Sequence, residues 1–401
     1  MANIKNLVIL LLLVSCSNNI KKTSFLDLIN ISDALKNTEE VKLSQFIQSI
    51  EYVHLEESNQ TFLYYPLIEV TDDYIIARNS GPSAMGPILL FDRKTGKFVR
   101  AVGKSGRGPE EFQMGNLTIY NIYKRTLYAI GYNNDIKEYD TDGKFVGSFK
   151  LPVMIDEKVA EKFGTPGIHL DQYLNKKVFV ACIQNNIGWD KRRIVLFTRD
   201  SIIKIFPNYL FWERKDWKYV NSFGMNPSFF RWEDKLNVKE EFNDTIFQIT
   251  TNSLIPRFIF QLRGLNPPLQ LQEQSINFEK IAKYYFINQI FENSYYLFFQ
   301  LGYGKNVYTG FFNKTTKKTT ICKLQDTNKS AFLDDINGFM QIRPQKITQN
   351  NEMIFKLEAM DIIKWIKENP EKVKTFGKNM DWLKTISEAS NPVIVIAKFK
   401  D

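Results

Sequence analysis

Between residues 50 and 400, short runs of large apolar and β-branched side chains alternate with tight polar turns, and few stretches keep a helical period. Residues 88–103 read ILLFDRKTGKFVRAVG, and residues 136–149 read IKEYDTDGKFVGSF. Each is a strand ending in an aromatic residue and Asp, then a turn containing Gly-Lys, then a strand opening with Phe-Val. Gly96 and Gly143 occupy the turn position that calls for a positive φ, which glycine reaches without a Cβ clash. They lie 47 residues apart, close to the length of a four-stranded propeller blade.

Weaker copies follow at residues 193–206 (RIVLFTRDSIIKIF), 244–262 (DTIFQITTNSLIPRFIFQL) and 308–324 (YTGFFNKTTKKTTICKL), and residues 354–363 (IFKLEAMDII) begin another strand. With Phe91, Tyr139, Phe197, Phe247, Phe312 and Phe355 as equivalent marks, the spacings are 48, 58, 50, 65 and 43. Six units of about 50 residues predict an all-β fold, a six-bladed β-propeller over residues 46–401. The strong β run at 392–399 (PVIVIAKF) ends the chain, after a helical insertion at about 360–388. A first strand near Ile50 (IEYVHLE) is expected to pair with blade six, which leaves no open sheet edge at the seam.

The N-terminus has a different pattern. Lys5 precedes the apolar run LVILLLLV at residues 7–14, too short to span a bilayer but suited to a signal peptide. Leu13-Val14-Ser15-Cys16 then resembles a bacterial lipobox, so residues 1–15 are read as the signal and Cys16 as the lipidated residue. Several acyl chains, palmitate among them, exceed the two-signal requirement for stable anchoring. Residues 16–45 are expected to form a polar tether and a lead-in to the propeller. The implied location is the cell envelope, at the outer membrane, with the membrane itself as a partner through the lipid.

Composition supports strands: Phe (32) and Tyr (18) are abundant, and 44% of the chain is hydrophobic. The net charge of +9 is spread in short groups such as Lys191-Arg192-Arg193 and Lys317-Lys318, with carboxylates nearby, so nucleic acid is not an expected partner. Cys182 and Cys322 fall in separate blades and read as small buried hydrophobes, not as a disulfide.

Two stretches go beyond generic strand pattern. KLSQFIQSIEYVHLEES (42–58) and FVRAVGKSGRGPEEF (98–112) together resemble the six-bladed propeller lipoproteins of Gram-negative, Bacteroidetes-type bacteria, which are related to NHL-repeat propellers. The matching positions are Val102, Gly103, Gly106, Gly108, Pro109, Glu111 and Phe112. The resemblance implies the fold and the lipid anchor, and says little about activity. Physically, the glycines and Pro109 read as a backbone device linking the outer strand of one blade to the inner strand of the next.

Chemistry-bearing motifs are few. His54 and His169 are the two histidines, and neither stands in a nucleophile or zinc motif; no cofactor or metal is expected. Asp72-Asp73, Glu110-Glu111 and Asp334-Asp335 read as turn carboxylates, with a calcium site as the alternative for such turns. Trp189, Trp212, Trp217 and Trp232 crowd the region joining blades three and four, where they could stack on a ligand or pack the loop down. With His169, they are the candidate ligand-binding residues. The functional expectation is a non-catalytic module binding a glycan, peptide or envelope protein. The alternative is a lyase or hydrolase working at the central face.

Overall fold

A computed structural model describes residues 26–80, 85–113, 118–131, 135–152, 167–185, 188–213, 215, 227–273, 278–325 and 328–400, with backbone alone at 167–169, 171 and 184. Cys16, the signal region and Trp217 lie outside the described residues. The described chain opens with β1 (Asp27–Asn30), a one-turn helix (Ile31–Ala34) and β2 (Ile47–His54). Blade one is β3 (Leu67–Val70), β4 (Tyr74–Arg78), β5 (Ile88–Asp92) and β6 (Phe98–Val102). Blade two is β7 (Thr118–Asn121), β8 (Thr126–Ile130), β9 (Asp135–Asp140) and β10 (Phe145–Lys150). Blade three is β11 (Gly167–Tyr173), β12 (Phe179–Gln184), β13 (Arg192–Phe197) and β14 (Ile202–Pro207). Blade four is β15 (Ser228–Trp232), β16 (Lys235–Lys239), β17 (Thr245–Ile249) and β18 (Leu254–Gln261). Blade five is β19 (Phe286–Glu292), β20 (Tyr296–Tyr303), β21 (Asn306–Asn313) and β22 (Thr319–Ile321). Blade six is β23 (Lys346–Ile347), β24 (Glu352–Leu357), β25 (Val393–Phe399) and, from the other end of the chain, β2.

Alternate side chains of a strand face opposite neighbours, and this is what makes the ring cohere. In blade one, Ile76 and Leu90 join a buried cluster with Leu127 and Tyr139 of blade two. Ile75, Ala77, Leu89 and Phe91 join Ile354, Ile394 and Ile396 of blade six. Comparable clusters fill the seams two–three, three–four, four–five and five–six. Both faces of each blade are therefore buried, so the middle strands read as continuous apolar runs, not as alternating ones. The fold is the six-bladed β-propeller, closed by antiparallel pairing of β2 with β25 from Ile47–Phe399 to His54–Val393.

Two expectations change. Phe91, Tyr139, Phe197, Phe247 and Phe312 lie on the third strands of blades one to five, whereas Phe355 lies on β24, the second strand of blade six. The insertion separates β24 from the true third strand, β25, which explains the short last spacing. It holds helices Ala359–Glu368 and Pro370–Lys374 and a 3-10 turn Asp381–Thr385, with Ile362, Met380 and Leu383 buried against the blade five–six cluster.

The entry segment, expected as short helical or irregular chain after the tether, is described from residue 26 onward and also contributes a strand. β1 adds a fifth, parallel strand to β18, Glu39 bridges Cys322, and Lys42 bridges Leu333. Phe46 then packs edge-on against Tyr296, Phe298 and Phe311 at 4.9–5.3 Å between centroids. Residues 26–46 thus run across blades four, five and six before entering β2. The apolar residues that hold this belt fall as two isolated pairs at strand spacing (Ile29 and Ile31, Val41 and Leu43) with Phe46 three residues on, too short a run to mark an element by period.

The Gly-rich loop links β6 to β7, and Glu111 is its keystone. Its carboxylate accepts a hydrogen bond from the Gly108 amide (2.8 Å) and pairs with Lys104 (2.9 Å). A Cβ at Gly106 would sit 1.9 Å from Glu111 Oε2, so glycine there makes room for the carboxylate. Phe112 is fully buried against Tyr139.

Candidate functional site

In an up-and-down blade the first-to-second and third-to-fourth turns share one end of the ring. The second-to-third loops and the links between blades share the other. On this protein the turn end carries short connections, such as residues 71–73, 233–234 and 250–253. The loop end carries the long ones, including the described residues 188–191 and 208–213 and the helical insertion.

At the loop end of the seam between blades three and four, two loops are locked into one unit. Asn185 Oδ1 accepts from the Asp190 amide (2.8 Å), and Asn185 Nδ2 donates to the Leu210 carbonyl (3.2 Å). Asn208 Nδ2 donates to the Asp190 and Leu210 carbonyls (3.0 Å each), while its Oδ1 accepts from the Leu210 amide (3.1 Å). Asp190 also holds Arg192, through Nε at 2.9 Å and Nη2 at 2.7 Å. Gly188 has φ +80°, and a Cβ there would meet the Trp212 carbonyl oxygen at 2.1 Å. Three short polar side chains and a glycine thus do here what a regular ladder does elsewhere.

That unit holds Trp189 (47% exposed), Tyr209 (78%) and Phe211 (48%) in solvent, with Trp212 turned inward. Beneath it lies a cavity of about 60 Å³ lined by Cys182, Asn185, Arg193, Asn208, Trp212, Glu240 and Glu241, among others. Two polar atoms in this lining are buried without a partner: the indole N–H of Trp212 and Oε1 of Glu241. Burial pushes the Glu241 carboxyl up from the ordinary range; Lys239 opposes the shift and Asp244 adds to it. Arg193 closes another side, its Nε 2.8 and 2.6 Å from the two Glu240 oxygens. A buried carboxyl, an indole donor and two amides can hold the hydroxyls of a polar ligand, and the exposed rings of the same loops can stack on its faces.

The sequence-selected residues separate accordingly. Trp189 and Trp212 belong to this cleft. Trp232 ends β15 near the turn end, its ring 4.0 Å from Lys314, 4.9 Å from Arg257 and 5.1 Å from Lys235. The backbone of His169 lies in β11 opposite Cys182, which lines the cavity. His54 stacks on Trp382 at 5.0 Å and hydrogen-bonds Glu57. The carboxylate pairs serve loops: Asp335 caps Ser44, Asp334 accepts from Tyr52, Asp73 pairs with Arg125, and Asp72 accepts from Asn350. Glu241, Asn185 and Asn208 carry no sequence signal of their own, although Asn185 and Asn208 each precede a tryptophan, Trp189 and Trp212, by four residues.

No described helix is long and apolar enough to cross a membrane. Among curated proteins none matches the chain. Of solved structures, a Bacteroides fragilis protein described as exported matches with TM-score 0.65 at 17% identity, covering 94% of this chain and 99% of its own. A Bacteroides vulgatus member of the DUF4221 family is 11% identical, with TM-score 0.44, covering 88% of this chain and 97% of its own. The first likeness shows the fold. Residues 26–398, which span all six blades and the β1 belt, match a single family model, and the chain belongs to that family, described as a domain of unknown function, DUF4934.

Proposed function

We propose that this protein is a lipid-anchored envelope propeller that binds a glycan or peptide in the blade three–four cleft without turning it over. The observation that carries the reading is the cleft itself. Exposed rings stand on the hydrogen-bonded loops whose Asn185, Asn208 and Trp212 line a cavity, and in that lining an indole N–H and a carboxyl oxygen have no partner. A platform ordered before binding loses little entropy when the ligand arrives. The description of the Bacteroides fragilis relative as exported supports an envelope location, as does the signal and lipobox pattern ending at Cys16. β1 runs parallel to β18, away from the turn end, and Asp27 pairs with Lys317 in a blade-five turn (2.8 Å). The first described strand therefore starts toward the turn end, opposite the cleft.

The test is retention of envelope oligosaccharides and peptides by purified residues 24–401, with product formation read in parallel. Trp189→Ala and Tyr209→Ala should each weaken binding by about 1–3 kcal/mol, the usual range for aromatic anchors at an interface. Turnover lost in Glu241→Gln would replace binding with catalysis. Binding indifferent to both aromatic changes would remove the cleft from consideration.

A further inference from the structure

The axis of the ring holds a second polar site, independent of the cleft. Tyr123 in a blade-two turn donates to Asp234 Oδ1 in a blade-four turn (3.1 Å), and Gln349 in a blade-six turn donates to the same oxygen (3.3 Å). Three blades that are not neighbours meet on one carboxylate, which can happen only near the axis. These contacts tie the turns of blades two, four and six together across the turn end of the ring. Glu233 and Asp234 both take positive φ (47° and 60°), a left-handed pair that forms the tight turn carrying this carboxylate.

Just inside these contacts, charges collect. Glu69 lies one residue from the end of β3, Arg231 one residue from the end of β15, and Lys346 two residues before the blade-six turn. Lys346 Nζ is 3.0 Å and Arg78 Nη2 is 3.4 Å from Glu69, and Arg231 also helps hold the Glu69 carboxyl below its ordinary range, against burial. Arg231 stacks on Tyr173 at 4.2 Å and donates to the Tyr173 carbonyl and to the Asp234 carbonyl (3.3 Å). Arg78 also donates to the Thr118 carbonyl at 2.6 Å.

The charges do not balance. Arg78, Arg231 and Lys346 bring +3; Glu69 brings −1, or −2 in all with Asp234, whose Oδ1 takes two neutral donors. The net is +1 to +2 in a partly desolvated channel, where unpaired charge is costly. The Nε–H groups of Arg78 and Arg231 are both buried without a partner, and the Arg78 side chain is 9% exposed. Lys346 remains 44% exposed, so the group is reachable. Asp72 and Asp73 lie farther out and are engaged by Asn350 and Arg125.

We propose that this axial well binds an oxyanion, a carboxylate, phosphate or sulfate group, held chiefly by Arg231 and Lys346, with Arg78 supplying the third positive charge. Glu69 orders the three cations and limits the affinity, since it competes with the incoming anion for them. Such a site takes either a free ion or the charged group of a larger ligand.

The experiment titrates inorganic sulfate, phosphate and acetate into residues 24–401 at fixed ionic strength, against chloride, reading heat and melting temperature. Sulfate should stabilise the protein relative to chloride. Lys346→Gln and Arg231→Gln should each lower sulfate affinity at least tenfold, whereas Glu69→Gln should raise it severalfold. Trp189→Ala, in the cleft, should leave it unchanged, so this proposal and the cleft reading can fail separately. A uronate disaccharide binding more tightly than acetate would identify a sugar-borne carboxylate as the ligand; equal binding would identify a free ion. Identical melting in sulfate and chloride would overturn the proposal. So would unaltered sulfate affinity in folded Lys346→Gln, the half-exposed position where the fold is least at risk.

Discussion

Gly188→Ala tests whether the cleft is a built platform or two loops that happen to lie together. Two costs can be read from the structure. The first is backbone: at φ +80° an L-residue loses about 1–2 kcal/mol relative to glycine. The second is steric: the new Cβ would stand 2.1 Å from the Trp212 carbonyl oxygen, a backbone atom, so one loop must give way. Overpacking of this kind adds about 1–3 kcal/mol. Gly264 and Gly338 have φ +80° and +66°, and a Cβ on either would meet nothing within 4 Å, so they isolate the first cost alone. For a domain of about 370 residues the unfolding entropy is roughly 0.8 kcal/mol/K, so 1 kcal/mol shifts Tm by about 1.3 °C. The two control substitutions should therefore lower Tm by about 1–3 °C and Gly188→Ala by about 3–6 °C, measured by differential scanning calorimetry. If the loop opens locally before the domain melts, the Tm loss shrinks toward the control value, and ligand retention falls at least tenfold instead. The reasoning fails if Gly188→Ala melts like Gly264→Ala and also retains ligand like the wild type.

Three other outcomes follow from single groups. Glu292, whose side chain is fully buried, accepts from Arg257 (2.7 and 2.8 Å) and Lys314 (2.9 Å); Glu292→Ala should cost about 3–5 kcal/mol in urea unfolding, because it strands two cations in the blade four–five seam. The raised Glu241 carboxyl binds a proton more tightly when folded than when unfolded, so its contribution is complete below the unfolded value near 4.5 and is lost as pH rises through the folded one. Stability of Glu241→Gln should therefore decline less than wild type between pH 4.5 and neutrality, and parallel pH–stability curves would contradict the assignment. Cys16→Ser should abolish fatty-acid labelling and membrane fractionation, and equal labelling of both forms would remove the anchor.

The ring was legible because its hairpins repeat. ILLFDRKTGKF and IKEYDTDGKF place Phe91 and Tyr139 on third strands, and Gly96 and Gly143 do adopt φ +68° and +86°. Closure was legible because PVIVIAKF is too apolar for an edge; β25 proves to be flanked on both sides, by β24 and β2. The β1 belt was not legible. A strand that pairs in parallel with a segment some 230 residues away needs only a few apolar contacts, and its backbone hydrogen bonds carry no side-chain pattern. The misassigned mark, Phe355, has a related cause. It is fully buried, as Phe91, Phe197 and Phe312 are, but reaches the core from the second strand. Burial alone does not specify which strand of a blade supplies the ring.

For the sites, the difficulty lies in the architecture. Blades bury their faces only against one another, so the chemistry of a seam or of the axis is assembled from residues far apart in the chain. Glu69 and Lys346 are 277 residues apart and meet at 3.0 Å. Asp234 draws its partners from positions 123 and 349. Each of these residues sits in an ordinary strand end or turn, where a charged side chain reads as solvated surface. The tryptophan cluster led to the seam between blades three and four because Trp189 and Trp212 belong to connections that converge there, whereas Trp232, close to them in sequence, is carried by β15 toward the opposite end. A propeller strand crosses the whole domain in a handful of residues, so sequence neighbours at the two ends of a strand serve opposite faces. Functional residues in such a fold are therefore better sought by strand phase, pooling the loop-end positions of all six blades, than by proximity along the chain.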